Sequence, residues 1–233
     1  MQDRLRDVCD NLSVNELIQT VLIYALPVLF AITVHEAAHA YVARYFGDYT
    51  STMLGRVTLN PIKHIDPIGT ILMPLLLYFS TSGAFLFGYA KPVPVNFGNL
   101  RHPKRDMIWV ALAGPVSNFI QAIAWAVVLV LLVVSGVDER FFLEMARAGV
   151  LVNLVMWAFN LFPLPPLDGG RIVAGLLPNK AAQTFSRIEP YGFFIVLALV
   201  LLGIVGSIWL RPLMDIGYGI IDFIIQPLVA VLR

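Results

Sequence analysis

Residues 15–46 read NELIQTVLIYALPVLFAITVHEAAHAYVARYF, and this run decides the kind of fold the chain adopts. A helix needs about 20 mostly apolar residues to cross a bilayer, and Glu16 is the only charged residue between positions 15 and 34. The second half of the run carries His35-Glu36-Ala37-Ala38-His39, an H-E-x-x-H pattern. Residues i and i+4 share one helical face, so both imidazoles can reach a single tetrahedral metal. Glu36, next to the first ligand, is placed to accept a proton from a metal-activated water. Three ionisable side chains in the middle of an apolar helix are costly unless they are used. The competing reading is a pair of interior histidines packed in a helix bundle.

Outward from this run the chain stays apolar. Of its 233 residues 58% are hydrophobic and 13% charged, with a mean hydropathy of +0.79. A water-soluble domain of that size needs more polar surface, so we expect one membrane-embedded domain over residues 1–233. The net charge of +1, with no basic stripe, gives no reason to expect a nucleic-acid partner. Cys9 is the only cysteine, which excludes an intrachain disulfide and a cysteine-rich metal site. A cleavable signal peptide is not expected, since removing the first apolar run would cut into HEAAH.

Further spans are expected near 107–135, 142–162 and 190–210. Residues 212–232 carry Asp215, Gly217, Gly219, Asp222 and Pro227, and either span or lie along the interface. The expected architecture is an all-α polytopic membrane protein of about five to six helices. Its catalytic core comprises three of them, 15–46, 107–135 and 142–162, with C-terminal helices at about 190–232. Between the first two lies an insertion at 52–106, rich in X-Pro steps that favour extended backbone. Leu54–Leu59 and Pro92–Phe97 read as short strands or extended segments. They form either a small sheet whose edge pairs with extended peptide or a plain capping loop.

A catalytic zinc takes three protein ligands and leaves a position for water. The best third ligand is Asp168, in Asn160-Leu161-Phe162-Pro163-Leu164-Pro165-Pro166-Leu167-Asp168-Gly169-Gly170, where prolines break an apolar helix and glycines permit close approach. Its competing role is a solvated loop carboxylate. Asn160 either donates a hydrogen bond to the developing oxyanion or caps its helix.

Charge placement tests the ligand set. Arg101, Lys104 and Arg105 precede one span, and Arg171, Lys180 and Arg187 follow another, marking both flanks as cytoplasmic. If the first helix runs inward, His35, His39 and Asp168 meet in the cytoplasmic half of the bilayer. Residues 47 and 106 then lie on one side, so 68–87, with Pro74 near its middle, is expected to be re-entrant.

HEAAH in a membrane helix, then Gly114-Pro115-Val116-Ser117-Asn118, then Asn160 to Gly170, together resemble the site-2 protease family of intramembrane zinc metalloproteases. All three elements of that family occur in its order and cover residues 35 to 170. The resemblance implies one Zn2+ held by His35, His39 and Asp168, and Glu36 as general base. It also implies hydrolysis of a peptide bond in or next to a substrate's transmembrane segment. The chain looks like the short bacterial type, with no room for a PDZ domain between the core helices and no nucleotide-sensing module after them. The expected partners are a membrane-protein substrate with a transmembrane helix and the lipid bilayer. The expected location is the bacterial cytoplasmic membrane.

The remaining candidates are weaker. His64 either contacts substrate or is an interfacial polar residue, and Lys91 either anchors to headgroups or binds substrate backbone. Gly114 and Asn118 read as close-packing positions, with Asn118 lining the cavity as the second option. Competing readings of the whole chain are a prenyl-protein type of metalloprotease, a metal transporter and an inactive membrane chaperone. Glu139, Glu144 and Glu189 stand outside any comparable motif, no inverted repeat is visible, and both ligands and base are intact.

Overall fold

A computed structural model of the chain describes residues 2–63, 66–72, 76 and 91–232, with the side chains of the first helix described from Ile18 on. The chain is an all-α polytopic membrane protein. Its helices are α1 (Gln2–Tyr45), α2 (Thr50–Met53), α3 (Pro103–Val134), α4 (Arg140–Asn160), α5 (Asp168–Leu176), α6 (Asn179–Ser186), α7 (Glu189–Leu201) and α8 (Arg211–Leu232). Among the described residues four stretches are long and apolar enough to span: Ile18–Tyr45, Pro103–Val134, Arg140–Asn160 and Val205–Leu232. At 1.5 Å per residue, the 28 residues of Ile18–Tyr45 reach about 42 Å, more than the hydrocarbon thickness.

The C-terminal region departs in detail from the sequence reading. Val205–Leu210 forms a π-helical turn that runs straight into α8, so 212–232 belongs to a spanning stretch by length and composition. The stretch expected near 190–210 is divided. Glu189–Leu201 forms α7, which follows α6 at a 65° bend and with it is long and apolar enough to count as one broken span, while 205–210 joins the last spanning stretch. Glu189-Pro190 opens α7, and a proline at the first helical turn starts a helix rather than extending one.

Helix α3 is the centre of the bundle, packed along α4, α1 and α5, while α4 also lies against α1. Small residues make this possible. Ala31, Ala37, Ala40 and Ala43 on α1 are buried, and so are Ala111, Ala122 and Ala126 on α3. Away from the site, Ala122, Ala126, Val150, Leu154, Ile221 and Ile225 join α3, α4 and α8 in one apolar cluster. The large apolar side chains Phe30, Ile120, Leu131, Ile208 and Phe223 point outward, as a lipid-facing surface requires.

The described part of the insertion consists of short helical turns and loops without strand pairing. Among the described residues there is no strand. Leu54–Leu59 is a turn and loop after α2, and 91–96 is an unpaired strap leading to a 3-10 turn at Phe97–Asn99. Pro92 and Pro94 have no N–H to contribute to a ladder, so the strap is held by side chains instead. Pro67–Leu72 is a π-helical turn, and the rest of the expected re-entrant stretch at 68–87 lies outside the described residues apart from Leu76.

Candidate metal centre

Helix α1 carries His35 and His39 one turn apart, with ring centroids 4.6 Å apart and planes at 87°. Both are buried, at 5% and 7% exposure. The third candidate, Asp168, is the first residue of α5 and is 6% exposed. It arrives because the proline-rich run 163–166 ends α4 and returns the chain to α3. Gly169 and Gly170 then press against that run: a Cβ on Gly169 would stand 2.2 Å from the Leu161 carbonyl oxygen, and one on Gly170 would stand 2.2 Å from Pro165 N. Only glycine fits at either position.

The donor atoms converge. His35 Nε2 lies 3.0 Å from His39 Nε2, and Asp168 Oδ2 lies 3.3 Å from the first and 3.2 Å from the second. In a tetrahedral zinc site with bonds of about 2.0–2.1 Å, donors stand about 3.3 Å apart. The outer hydrogen bonds settle what the inner atoms can offer. Asn118 spends its amide N–H groups on the Ala31 carbonyl (3.1 Å) and Asn153 Oδ1 (3.0 Å), so its Oδ1 accepts from His35 Nδ1 at 2.6 Å. His39 Nδ1 donates to the Val110 carbonyl at 2.6 Å. Both rings therefore carry their proton on Nδ1 and turn a bare Nε2 lone pair inward. Two lone pairs and a carboxylate oxygen face one another with no proton between them, and Asp168 Oδ2 is a buried atom without a hydrogen-bond donor. Such a cluster of acceptors is strongly stabilised by a bound cation. Zinc fits this nitrogen and oxygen set.

Gly114 completes the pocket by what it lacks. A Cβ there would stand 2.4 Å from His39 Nε2 and 2.5 Å from His35 Cε1, inside the metal site itself. Close helix packing, expected from sequence, thus has a chemical purpose. Asn118 is fully buried behind His35, so it orients a ligand and does not line the cavity. Asn153, buried on α4 and anchored to the Gly149 carbonyl at 2.9 Å, extends the same network. Sequence reasoning missed it, although a lone Asn within an apolar helix is a signal of that kind.

Glu36 is partly buried and lines the same cavity, which measures about 970 Å³. Its Oε2 accepts a 2.6 Å hydrogen bond from the backbone N–H of Val93, in the strap. The strap is clasped from below. Ser51 Oγ donates to the Pro94 carbonyl (2.6 Å), and Arg56 Nη2 donates to the carbonyls of Lys91 (2.9 Å) and Pro92 (3.4 Å). Asp48 accepts from Asn96 N (2.8 Å), Asn99 Nδ2 (3.1 Å) and both the N–H and hydroxyl of Thr50. Burial raises the Asp48 pKa, but these donors outweigh it and hold the carboxyl below its usual range. Asp48, Ser51 and Arg56 were invisible in the sequence because their partners are backbone atoms about 35 to 50 residues away.

Of the remaining candidates, Asn160 lines the cavity and donates one amide hydrogen to the Met156 carbonyl at 3.0 Å, leaving the other free to act. Lys91 is exposed and not brought into the cavity. His64 lies outside the described residues.

Comparison with known proteins agrees with this geometry. The chain is 40% identical over 201 residues to "Putative zinc metalloprotease YwhC" of Bacillus subtilis, covering 82% of this chain and 85% of that protein. It is 28% identical over 176 residues to "Putative zinc metalloprotease Rip2" of Mycolicibacterium smegmatis, covering 74% of this chain and 64% of that one. A third relative, "Zinc metalloprotease MJ0392" of Methanocaldococcus jannaschii, is 27% identical over 156 residues, which is 64% of this chain and 33% of that protein. No solved structure matches the chain. The model of peptidase family M50 matches residues 23–149 and 139–203, and the chain belongs to that family, the site-2 proteases.

Proposed function

We propose that this zinc metalloprotease of the M50 family hydrolyses a peptide bond in or next to the transmembrane segment of a membrane-protein substrate, with Glu36 as general base. The observation that carries the reading is the convergence of His35 Nε2, His39 Nε2 and Asp168 Oδ2 beside Glu36, in a cavity walled by apolar residues of α1, α4 and α7. Zinc, when held by these three residues, supplies a Lewis acid that makes water nucleophilic near neutral pH.

The chain's own groups do the rest. Asn118 and the Val110 carbonyl keep both imidazoles in the ligating tautomer. The Val93 amide fixes one oxygen of Glu36, and the other takes the proton from the attacking water and returns it to the leaving amine. Asn160 offers its free amide hydrogen to the oxygen of the scissile carbonyl. The strap at 91–96, whose outer carbonyls are already clasped, presents Val93 and Val95 to the cavity as an edge for extended substrate. A helical substrate must unwind before its carbonyls can reach the site, so helix-breaking residues in it favour cleavage.

Topology follows from charge. Six cations flank the site end of α3 and α5, which supports an active site in the cytoplasmic half of a bacterial cytoplasmic membrane. His39 lies six residues, or about 9 Å, before the end of α1 at Tyr45.

The deciding experiment compares wild type with Glu36→Gln, reconstituted with a single-span model substrate. We expect equal zinc content and a rate lower by about 10²- to 10⁴-fold in the variant. Intact cleavage in Glu36→Gln would overturn Glu36 as the general base, and no zinc in either protein would overturn the proposed metal centre.

A further inference from the structure

Beside the catalytic cavity lies a second one of about 610 Å³, formed by the start of α3, the exposed side of α5, and α6 with the start of α7. Its character is opposite to that of the first. Lys104, Arg171 and Arg187 contribute three positive charges to its wall, and Glu189 one negative charge. Lys104 is committed to the Leu177 carbonyl and to Asn179 Oδ1. Among the described residues neither Arg171 nor Arg187 has an ion-pair partner. The Arg171 guanidinium lies over the Phe97 ring, 5.4 Å from its centroid, and these two residues border both cavities. Arg171 also stands three residues, or about 4.5 Å along the helix, beyond the ligand Asp168. A chain leaving the catalytic cavity past this wall enters a space whose two guanidinium groups have no ion-pair partner among the described residues.

We propose that the pocket bounded by Lys104, Arg171 and Arg187 takes an acidic side chain of the substrate, just outside its transmembrane segment, and so sets substrate specificity. The proposal rests on the proteolytic reading above. The pocket opens where cations cluster in this chain, and by the same rule most membrane segments carry Lys or Arg in that flank. Like charge turns such segments away, whereas a carboxylate pairs with an arginine fork. Discrimination therefore combines attraction and repulsion at one place. A lipid phosphate has related charge, but the wall shared with the catalytic cavity favours the substrate chain as occupant.

The test uses the full chain in bilayers and three substrates differing only in the two residues flanking the span: Glu-Glu, Gln-Gln and Lys-Lys. Wild type is expected to cleave the Glu-Glu form about fivefold faster than the Lys-Lys form, measured as kcat/KM. Arg187→Glu should bring that ratio to one or below. A ratio of one in wild type overturns the proposal. So does a wild-type ratio unchanged by Arg187→Glu, with cleavage of all three substrates rising together as phosphatidylglycerol is added, since a lipid then occupies the pocket. A second measurement separates this from failure of the protease reading. In Glu36→Gln carrying Cys9→Ser and Gln183→Cys, with diamide added as the oxidant, a substrate with one cysteine in its flank should form a disulfide with position 183 faster for Glu-Glu than for Lys-Lys. That preference supports the pocket even if wild type cleaves nothing, and its absence overturns the pocket even if wild type cleaves everything.

Discussion

The backbone N–H of Val93 donates a 2.6 Å hydrogen bond to Glu36 Oε2, joining the insertion to the helix that carries His35 and His39. The two residues are 57 positions apart, and the bond forms only because Asp48, Ser51 and Arg56 hold the strap in place. Glu36 and the strap are thus one assembly.

Val93→Pro removes this donor in a segment where Pro92 and Pro94 already lack N–H groups. A hydrogen bond to a charged group contributes about 1.5–3 kcal/mol. We expect kcat to fall by about tenfold or more while bound zinc stays at one per chain. Steady-state kinetics beside metal analysis checks this, and an unchanged kcat would mean that the amide does not position the base.

Loss of the clasp should act on the same residues from further away. Asp48→Ala leaves the Asn96 and Asn99 donors unpaired, and faster hydrogen exchange is expected across 91–99. The pH dependence has a definite sign. The folded carboxyl titrates below its ordinary value of 3.8, so its contribution is present above that value and is lost as pH falls through the lower folded pKa. Exchange at 91–99 in wild type should therefore be flat between pH 5 and 8 after correction for intrinsic rates, and any strap release in that range contradicts the assignment.

Asn118→Ala removes the acceptor that fixes the His35 tautomer and leaves Asn153 Oδ1 without its donor. Partners behind metal ligands typically change affinity by about 10- to 100-fold. Titration against a competing chelator should show that weakening, whereas a merely structural asparagine would lower thermal stability and leave zinc affinity alone.

Gly114→Ala places a methyl group in the metal site, 2.4 Å from His39 Nε2. The variant should retain its helices but lose most of its zinc. Gly219→Ala is the matched control, because a Cβ there meets nothing within 4 Å. Circular dichroism and metal content on the two variants separate a local steric effect from general loss of fold.

His39→Ala and Asp168→Asn probe the ligand set. Each should abolish stoichiometric zinc, since removing one of three donors from a buried site leaves the others uncompensated. Full zinc retention in Asp168→Asn would shift the third ligand elsewhere.

Local pattern made much of this protein legible in its sequence. The apolar length of 15–46 and the four-residue spacing of His35 and His39 report helix, membrane and two imidazoles on one face at once, because helix period and bilayer thickness are local constraints. Asp168 was reachable through the charge of its flanks. Other features were decided only when the chain folded. Whether 91–96 pairs as a strand or lies as a clasped strap, why position 114 must be glycine, and that Asn118 serves His35 from 83 residues away all depend on which helices approach which. Helix period tells a residue which face it occupies but says nothing of what stands opposite. That is set by small residues at the crossings of α1, α3 and α4 and by the return of α5 over the proline-rich turn, and these contacts exist only in the assembled bundle.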